Sequence, residues 1–145
     1  MTTTPTQLDK RLYTANATAT GGGRDGKVRT DDGRLDLVMA PPKALGGTGE
    51  GSNPEQLFAA GYSACFSSAV QHVARLRKVR TGPVTVQANV TIGPVGNRFG
   101  LDVELVVTMP ELPRPDAEAL VNAAHEVCPY SNATRGNIPV AVRVA

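Results

Sequence analysis

Apolar and polar positions alternate most clearly over Val84 to Gly93, where Val84, Val86, Ala88, Val90 and Ile92 share one face. That is the period of a half-buried strand. Leu101 to Met109 is a second β-rich run, and Gly93-Pro94-Val95-Gly96-Asn97 between them predicts a long hairpin. Earlier in the chain, Lys10 to Thr20 reads as a strand, Gly21 to Gly26 as a Gly-rich turn and Lys27 to Thr30 as a short strand. Asp31-Asp32-Gly33 is a tight-turn signal, with Leu35-Asp36-Leu37-Val38 as the next strand. These segments predict a three-stranded antiparallel meander. Ala40 to Ser52 carries Pro41, Pro42 and four glycines and reads as a loop.

Helical periodicity begins at Asn53-Pro54-Glu55. Asn is a favoured N-cap, Pro suits the first helical position, and Glu complements the positive end of the helix dipole. The helix is expected to run to about Val79 and to stop at Thr81-Gly82-Pro83. A second helix is predicted over Pro115 to Val127, from the spacing of Ala117, Leu120, Val121 and Ala124, with Cys128-Pro129 ending it. Ile138 to Val144 is a closing strand. The expected fold is α+β, in the order βββ-α-ββ-α-β, with two helices packed on antiparallel sheet, and residues 1–145 form one domain.

Composition narrows the function classes. A net charge of +2 over 145 residues is too small to argue for a nucleic-acid partner. The densest basic run, Arg75-Leu76-Arg77-Lys78-Val79-Arg80, lacks interleaved aromatics for base stacking and falls at a helix end, where cations suit the dipole. Met1 to Leu12 is polar, without the apolar stretch of a secretory signal, and no apolar run is long enough to span a bilayer. A cytoplasmic protein with no membrane contact is expected. Two cysteines in a reducing compartment are poor candidates for a permanent structural disulfide.

Cys65 sits mid-helix on the apolar stripe of Phe58, Gly61, Tyr62, Ala69, Val73 and Leu76, and Cys128 extends the stripe of the second helix. Each helix is thus expected to point its one cysteine toward the same core region. Both fit the role of small buried hydrophobes. Two features argue for reactivity instead. Gly61, Ser63, Ala64, Ser67 and Ser68 leave Cys65 uncrowded, as close approach by a substrate or neighbouring chain requires, and Cys128 lies at a helix end, where local opening is cheap. His72 and His125 could nominally complete a zinc set with the two cysteines, but paired knuckle ligands are missing, and seven residues along a helix put Cys65 and His72 about 10 Å apart. No metal or cofactor is expected. Gly21 to Lys27 imitates a nucleotide-binding loop but has Val28 where Ser or Thr is needed. Gly46 to Gly51 precedes a helix, so its amides suit an anion or a plain flexible connection.

The segment from Ser52 to Phe66, SNPEQLFAAGYSACF, closely resembles a helix of the organic hydroperoxide resistance proteins, relatives of the osmotically inducible C-type proteins. Val127 to Asn137, VCPYSNATRGN, resembles the second cysteine motif of that family, and Gly22-Gly23-Arg24-Asp25-Gly26 its arginine loop. The resemblance covers essentially the whole chain in order. It implies a two-cysteine peroxidase working as an intertwined homodimer, acting on alkyl and fatty-acid hydroperoxides and recycled by a dithiol such as a lipoyl group. Cys65 would be the attacking thiol, Cys128 the resolving one, and Arg24 and Glu55 the activating pair. The Asn53-Pro54-Glu55-Gln56 and Cys128-Pro129-Tyr130 blocks favour the hydroperoxide-resistance branch over the osmotically inducible one.

The implied roles are chemically coherent. A free thiol is mostly protonated at neutral pH, and burial in apolar company disfavours the thiolate further. A permanent cation is needed to offset this, and a carboxylate can hold its planar fork. Glu55 and Cys65 are ten residues apart, about 15 Å along one straight helix. Arg24 and Glu55 are therefore expected to assemble around the Cys65 of an opposite chain. Leu57, Phe58, Phe66 and Val127 are candidates for an alkyl groove and equally for plain core. The histidines carry no expected role. The competing reading from another class is a small-ligand or lipid-binding module with two inert thiols.

Overall fold

The meander forms as expected. In the computed structural model, which describes residues 4–145, β1 (Ala17–Thr20), β2 (Lys27–Thr30) and β3 (Asp36–Val38) pair antiparallel in the order β1-β2-β3. Residues 1–3, where the polar opening segment and the expected 1–145 domain begin, lie outside the described residues. The chain divides into two units, Met1–Asn53 and Pro54–Ala145. β1 is shorter than the expected strand from Lys10 to Thr20. The Gly-rich turn sets Thr20 opposite Lys27, and β2 ends at Thr30, so the ladder closes at the Ala17–Thr30 pair. Residues 10–16 have no strand to pair with and stay exposed.

The turn between β1 and β2 requires its glycines. Gly21, Gly22 and Gly23 all have left-handed φ, at 68°, 99° and 72°. A side chain on Gly26 would put its Cβ 1.9 Å from the Thr20 carbonyl oxygen. In the next turn the Asp32 carboxylate accepts from the Thr30 hydroxyl at 2.8 Å and from the Arg34 amide at 2.9 Å. The Arg34 amide first, and the Thr30 hydroxyl with it, hold Asp32 below its ordinary pKa. No strand residue of this first unit is buried.

The second unit opens with α1 (Pro54–Leu76) and continues through β4 (Thr85–Val95), β5 (Arg98–Thr108), α2 (Arg114–Val127), α3 (Pro129–Thr134) and β6 (Val140–Val144). β4 and β5 form the expected long hairpin, paired from Thr85–Thr108 to Val95–Arg98. It turns on Gly96 and Asn97, with Gly96 at φ 59°, the left-handed first position of a tight primed turn.

Two features correct the expected arrangement. β6 pairs with β5 in parallel, so this sheet is mixed rather than purely antiparallel. The reason is topological: β6 returns to the sheet through helices, and a crossover of that kind delivers a parallel strand, whereas a hairpin cannot. The second correction is α3, a further short helix. Pro129 has no N–H to continue α2 and disfavours helical geometry at the residue before it, yet suits the first position of a new helix.

The helices cover one face of the sheet. β5 buries Val103, Leu105 and Val107 at every second position, and α1 contributes Tyr62, Phe66, Val70 and Val73 at helical spacing. α2 adds Ala117, Leu120, Val121 and Ala124. Each large apolar side chain buried here contributes about 1.5–3 kcal/mol. Leu76, expected on the apolar stripe of α1, is exposed because the helix ends there. Lys78 takes a left-handed φ of 57°. The Val79 amide then donates to the Ala74 carbonyl at 2.9 Å and the Lys78 amide to the Arg75 carbonyl at 3.2 Å, the bonding of a Schellman stop three residues before the expected one. Among the described residues, no helix is long and apolar enough to cross a membrane.

Candidate active site

Cys65 lies about three turns into α1, just after the buried Tyr62, and Cys128 is the single residue joining α2 to α3, with φ −65° and ψ 125°. Residues 63 apart in sequence thereby meet. The Cys128 thiol donates toward the Cys65 sulfur at 3.7 Å. This is a non-bonded contact between two free thiols, and a disulfide at about 2.05 Å needs only a short further approach. Cys128 is fully buried, whereas Cys65 is partly accessible.

The surroundings of Cys65 explain why it needs activation. Burial pushes its thiol above the ordinary pKa, the backbone amide of Tyr130 pulls it back, and the adjoining Cys128 sulfur adds to the rise. Desolvation disfavours a thiolate, and a second sulfur in contact is a group that cannot ionise at the same time without repulsion. Of the four residues implied by the resemblance, Cys65 and Cys128 meet within the second unit. Glu55 is the second residue of α1, and Arg24 is on the Gly-rich turn of the first unit.

The space beside Gly61 is filled from within the chain. The Tyr130 ring lies against it, so that a Cβ on Gly61 would sit 2.6 Å from the Tyr130 hydroxyl oxygen. The same ring packs on Phe58 and Tyr62, with centroids 6.1 Å and 5.6 Å away. The small residue at 61, one of those expected to leave Cys65 uncrowded for a substrate or a neighbouring chain, instead allows an aromatic side chain of the same chain close to the helix.

Beneath the cysteines lies a polar network that sequence reasoning did not find. The Ser131 hydroxyl shares hydrogen bonds with the Tyr62 hydroxyl at 2.8 Å and with His125 Nδ1 at 2.7 Å. Tyr62 also meets the Thr134 hydroxyl at 3.3 Å, and Thr134 donates to the Ser131 carbonyl at 3.2 Å. The Arg135 guanidinium donates to the carbonyl of His125. Burial, with the Arg135 charge, holds His125 below its ordinary pKa, against a smaller opposing pull from Glu126. The signal available in the sequence was the spacing, with His125 three residues before Cys128 and Ser131 three after it. Among the described residues, no three His, Cys, Asp or Glu side chains gather to hold a metal ion.

Comparison with known proteins identifies the family. The sequence model of the family described as OsmC-like protein matches residues 47–143. An organic hydroperoxide resistance protein from Xanthomonas axonopodis pv. citri (strain 306) is 49% identical over 139 residues, covering 94% of this chain and 97% of the relative. Among solved structures, an organic hydroperoxide resistance protein from Legionella pneumophila superposes with a TM-score of 0.90 at 50% identity, covering 94% of this chain and 99% of that one. A second such structure, from Vibrio cholerae O1 biovar eltor, has captopril bound in one of its active sites. It gives a TM-score of 0.90 at 49% identity, with 95% of each chain covered.

Proposed function

Because this chain belongs to the OsmC-like family, and within it to the organic hydroperoxide resistance proteins, we propose that it is a thiol peroxidase reducing alkyl and fatty-acid hydroperoxides to alcohols. The observation that carries this reading is the 3.7 Å approach of the Cys128 and Cys65 sulfurs. The Cys65 thiolate attacks the terminal peroxide oxygen, an S–O bond forms as the O–O bond breaks, and the alkoxide leaves as alcohol after taking up a proton. Cys65 is left as a sulfenic acid. The Cys128 sulfur then displaces that oxygen, forming the disulfide and releasing water. An external dithiol, such as a lipoyl group on a protein, restores both thiols by exchange and becomes a disulfide itself.

Arg24 is assigned to thiolate stabilisation and Glu55 to holding its guanidinium. About 15 Å of helix separates Glu55 from the Cys65 of its own chain, so the pair is assigned to Cys65 of the partner subunit in an intertwined homodimer. The meander supports this association. A three-stranded sheet that buries none of its strand residues lacks the packed face that stabilises a small sheet. The protein is assigned to the cytoplasm as one functional domain.

Steady-state consumption of cumene hydroperoxide, driven by a lipoyl dithiol, tests the activity. The expected result is turnover faster than with hydrogen peroxide, abolished by Cys65→Ser. Two thiols per chain should be lost without cross-links between chains. Undiminished turnover of Cys65→Ser would refute the assignment.

A further inference from the structure

The polar network under the cysteines has no part in the cycle above, yet it is built around the residue that must move in the second step. Cys128 is the hinge between α2 and α3, and its backbone is held on both sides. Its amide donates to the Ala124 carbonyl, and its carbonyl accepts from the Asn132 amide, both at 2.9 Å. Ser131 spans the hinge, reaching back across it to His125 in α2 and across to Tyr62 in α1, one turn before Cys65. Tyr62 and Ser131 are fully buried and Thr134 nearly so, so their hydroxyls rely on one another rather than on bulk solvent. One proton assignment satisfies every hydroxyl: His125 Nδ1 to Ser131, Ser131 to Tyr62, Tyr62 to Thr134, and Thr134 to the Ser131 carbonyl.

We propose that Ser131, tied to Tyr62 and His125, is a positioning residue for the resolving step, holding the α2–α3 hinge so that the Cys128 thiol stays in reach of Cys65. The proposal rests on the peroxidase reading. The sulfurs stand at 3.7 Å and must close to about 2.05 Å. In that closure the Cys128–Cys65 bond forms, the S–O bond of the sulfenic acid breaks, and the hydroxyl leaves as water with the Cys128 proton. Until it occurs, a second hydroperoxide can oxidise the sulfenic acid to sulfinic acid. A loosened hinge therefore shifts the division of one intermediate between two products. It acts through Cys128 without touching substrate.

The measurement is intact mass of the full-length protein after titration with cumene hydroperoxide, without added dithiol. Disulfide, which has lost two hydrogens, is scored against Cys65 carrying two added oxygens. In Ser131→Ala, half over-oxidation is expected at roughly a tenfold lower hydroperoxide concentration, the rate change matching the free energy of one buried hydrogen bond. Tyr62→Phe keeps the ring packing, loses only the hydroxyl, and should shift the midpoint in the same direction. Leu105→Ala, a core truncation remote in sequence from the hinge, should melt at least as low as Ser131→Ala and keep the parent division. The proposal is overturned if Ser131→Ala and Tyr62→Phe divide as the parent does, or if Leu105→Ala shifts as far as they do. A parent protein that forms no Cys65–Cys128 disulfide at all would instead refute the peroxidase reading itself.

Discussion

Gly61 in α1 offers a sharp test of how the two cysteine-bearing segments are packed. Replacing a helix-interior glycine with alanine ordinarily stabilises by about 1 kcal/mol, because it restricts the unfolded chain and suits the helix. Here the added methyl would lie 2.6 Å from the Tyr130 hydroxyl oxygen and 3.1 Å and 3.2 Å from Cζ and Cε2. The hydroxyl must retreat by about 0.8 Å to reach ordinary contact. The ring is edge-packed on Phe58 and tilted on Tyr62, and each such pair contributes about 0.5–1.5 kcal/mol. Disturbing both offsets the helix gain, so Gly61→Ala is expected to lie between no change and a loss of about 2 kcal/mol. In a Tyr130→Ala background the obstruction is gone, and the same substitution should stabilise by about 1 kcal/mol. Urea unfolding of the four proteins closes a double-mutant cycle, with an expected coupling of at least about 1 kcal/mol. An equal stabilisation by Gly61→Ala in both backgrounds would refute the packing argument.

Gly26→Ala puts a Cβ 1.9 Å from a backbone oxygen, so the loop carrying Arg24 must rearrange. Hydroperoxide turnover should fall well beyond any loss in melting temperature, and parent-like turnover would contradict the need for that loop. Lys78→Gly removes a left-handed non-glycine residue from the end of α1 and should stabilise by about 0.5–1 kcal/mol in urea unfolding. A neutral or destabilising result would show that the stop carries no strain. His125 has its folded pKa depressed below 6.5, chiefly by burial, so the unfolded chain binds its proton first as pH falls. Its contribution to stability is fully present above about pH 6.5 and is lost as pH drops through the lower folded value. Melting temperatures measured from pH 8 to 5 should show this decline, and His125→Gln should flatten it.

Short-range chemistry was readable from the residues alone. The limits of β2, the glycine-dependent turns, the start of α1 at Pro54 and the β4–β5 hairpin are set by interactions within a few positions, so pattern suffices for them. Both cysteines were likewise legible as inward-facing positions on apolar helix faces. Tertiary structure decided what depends on partners distant in the chain. β1 is short because β2 offers only four residues to pair with. β6 runs parallel because of the path by which helices return it to the sheet. The network of Tyr62, His125 and Ser131 spans up to 69 positions of sequence. No local pattern encodes such a meeting, since it exists only once α1 and α2 have packed on one face of the sheet and brought the α2–α3 hinge against Cys65.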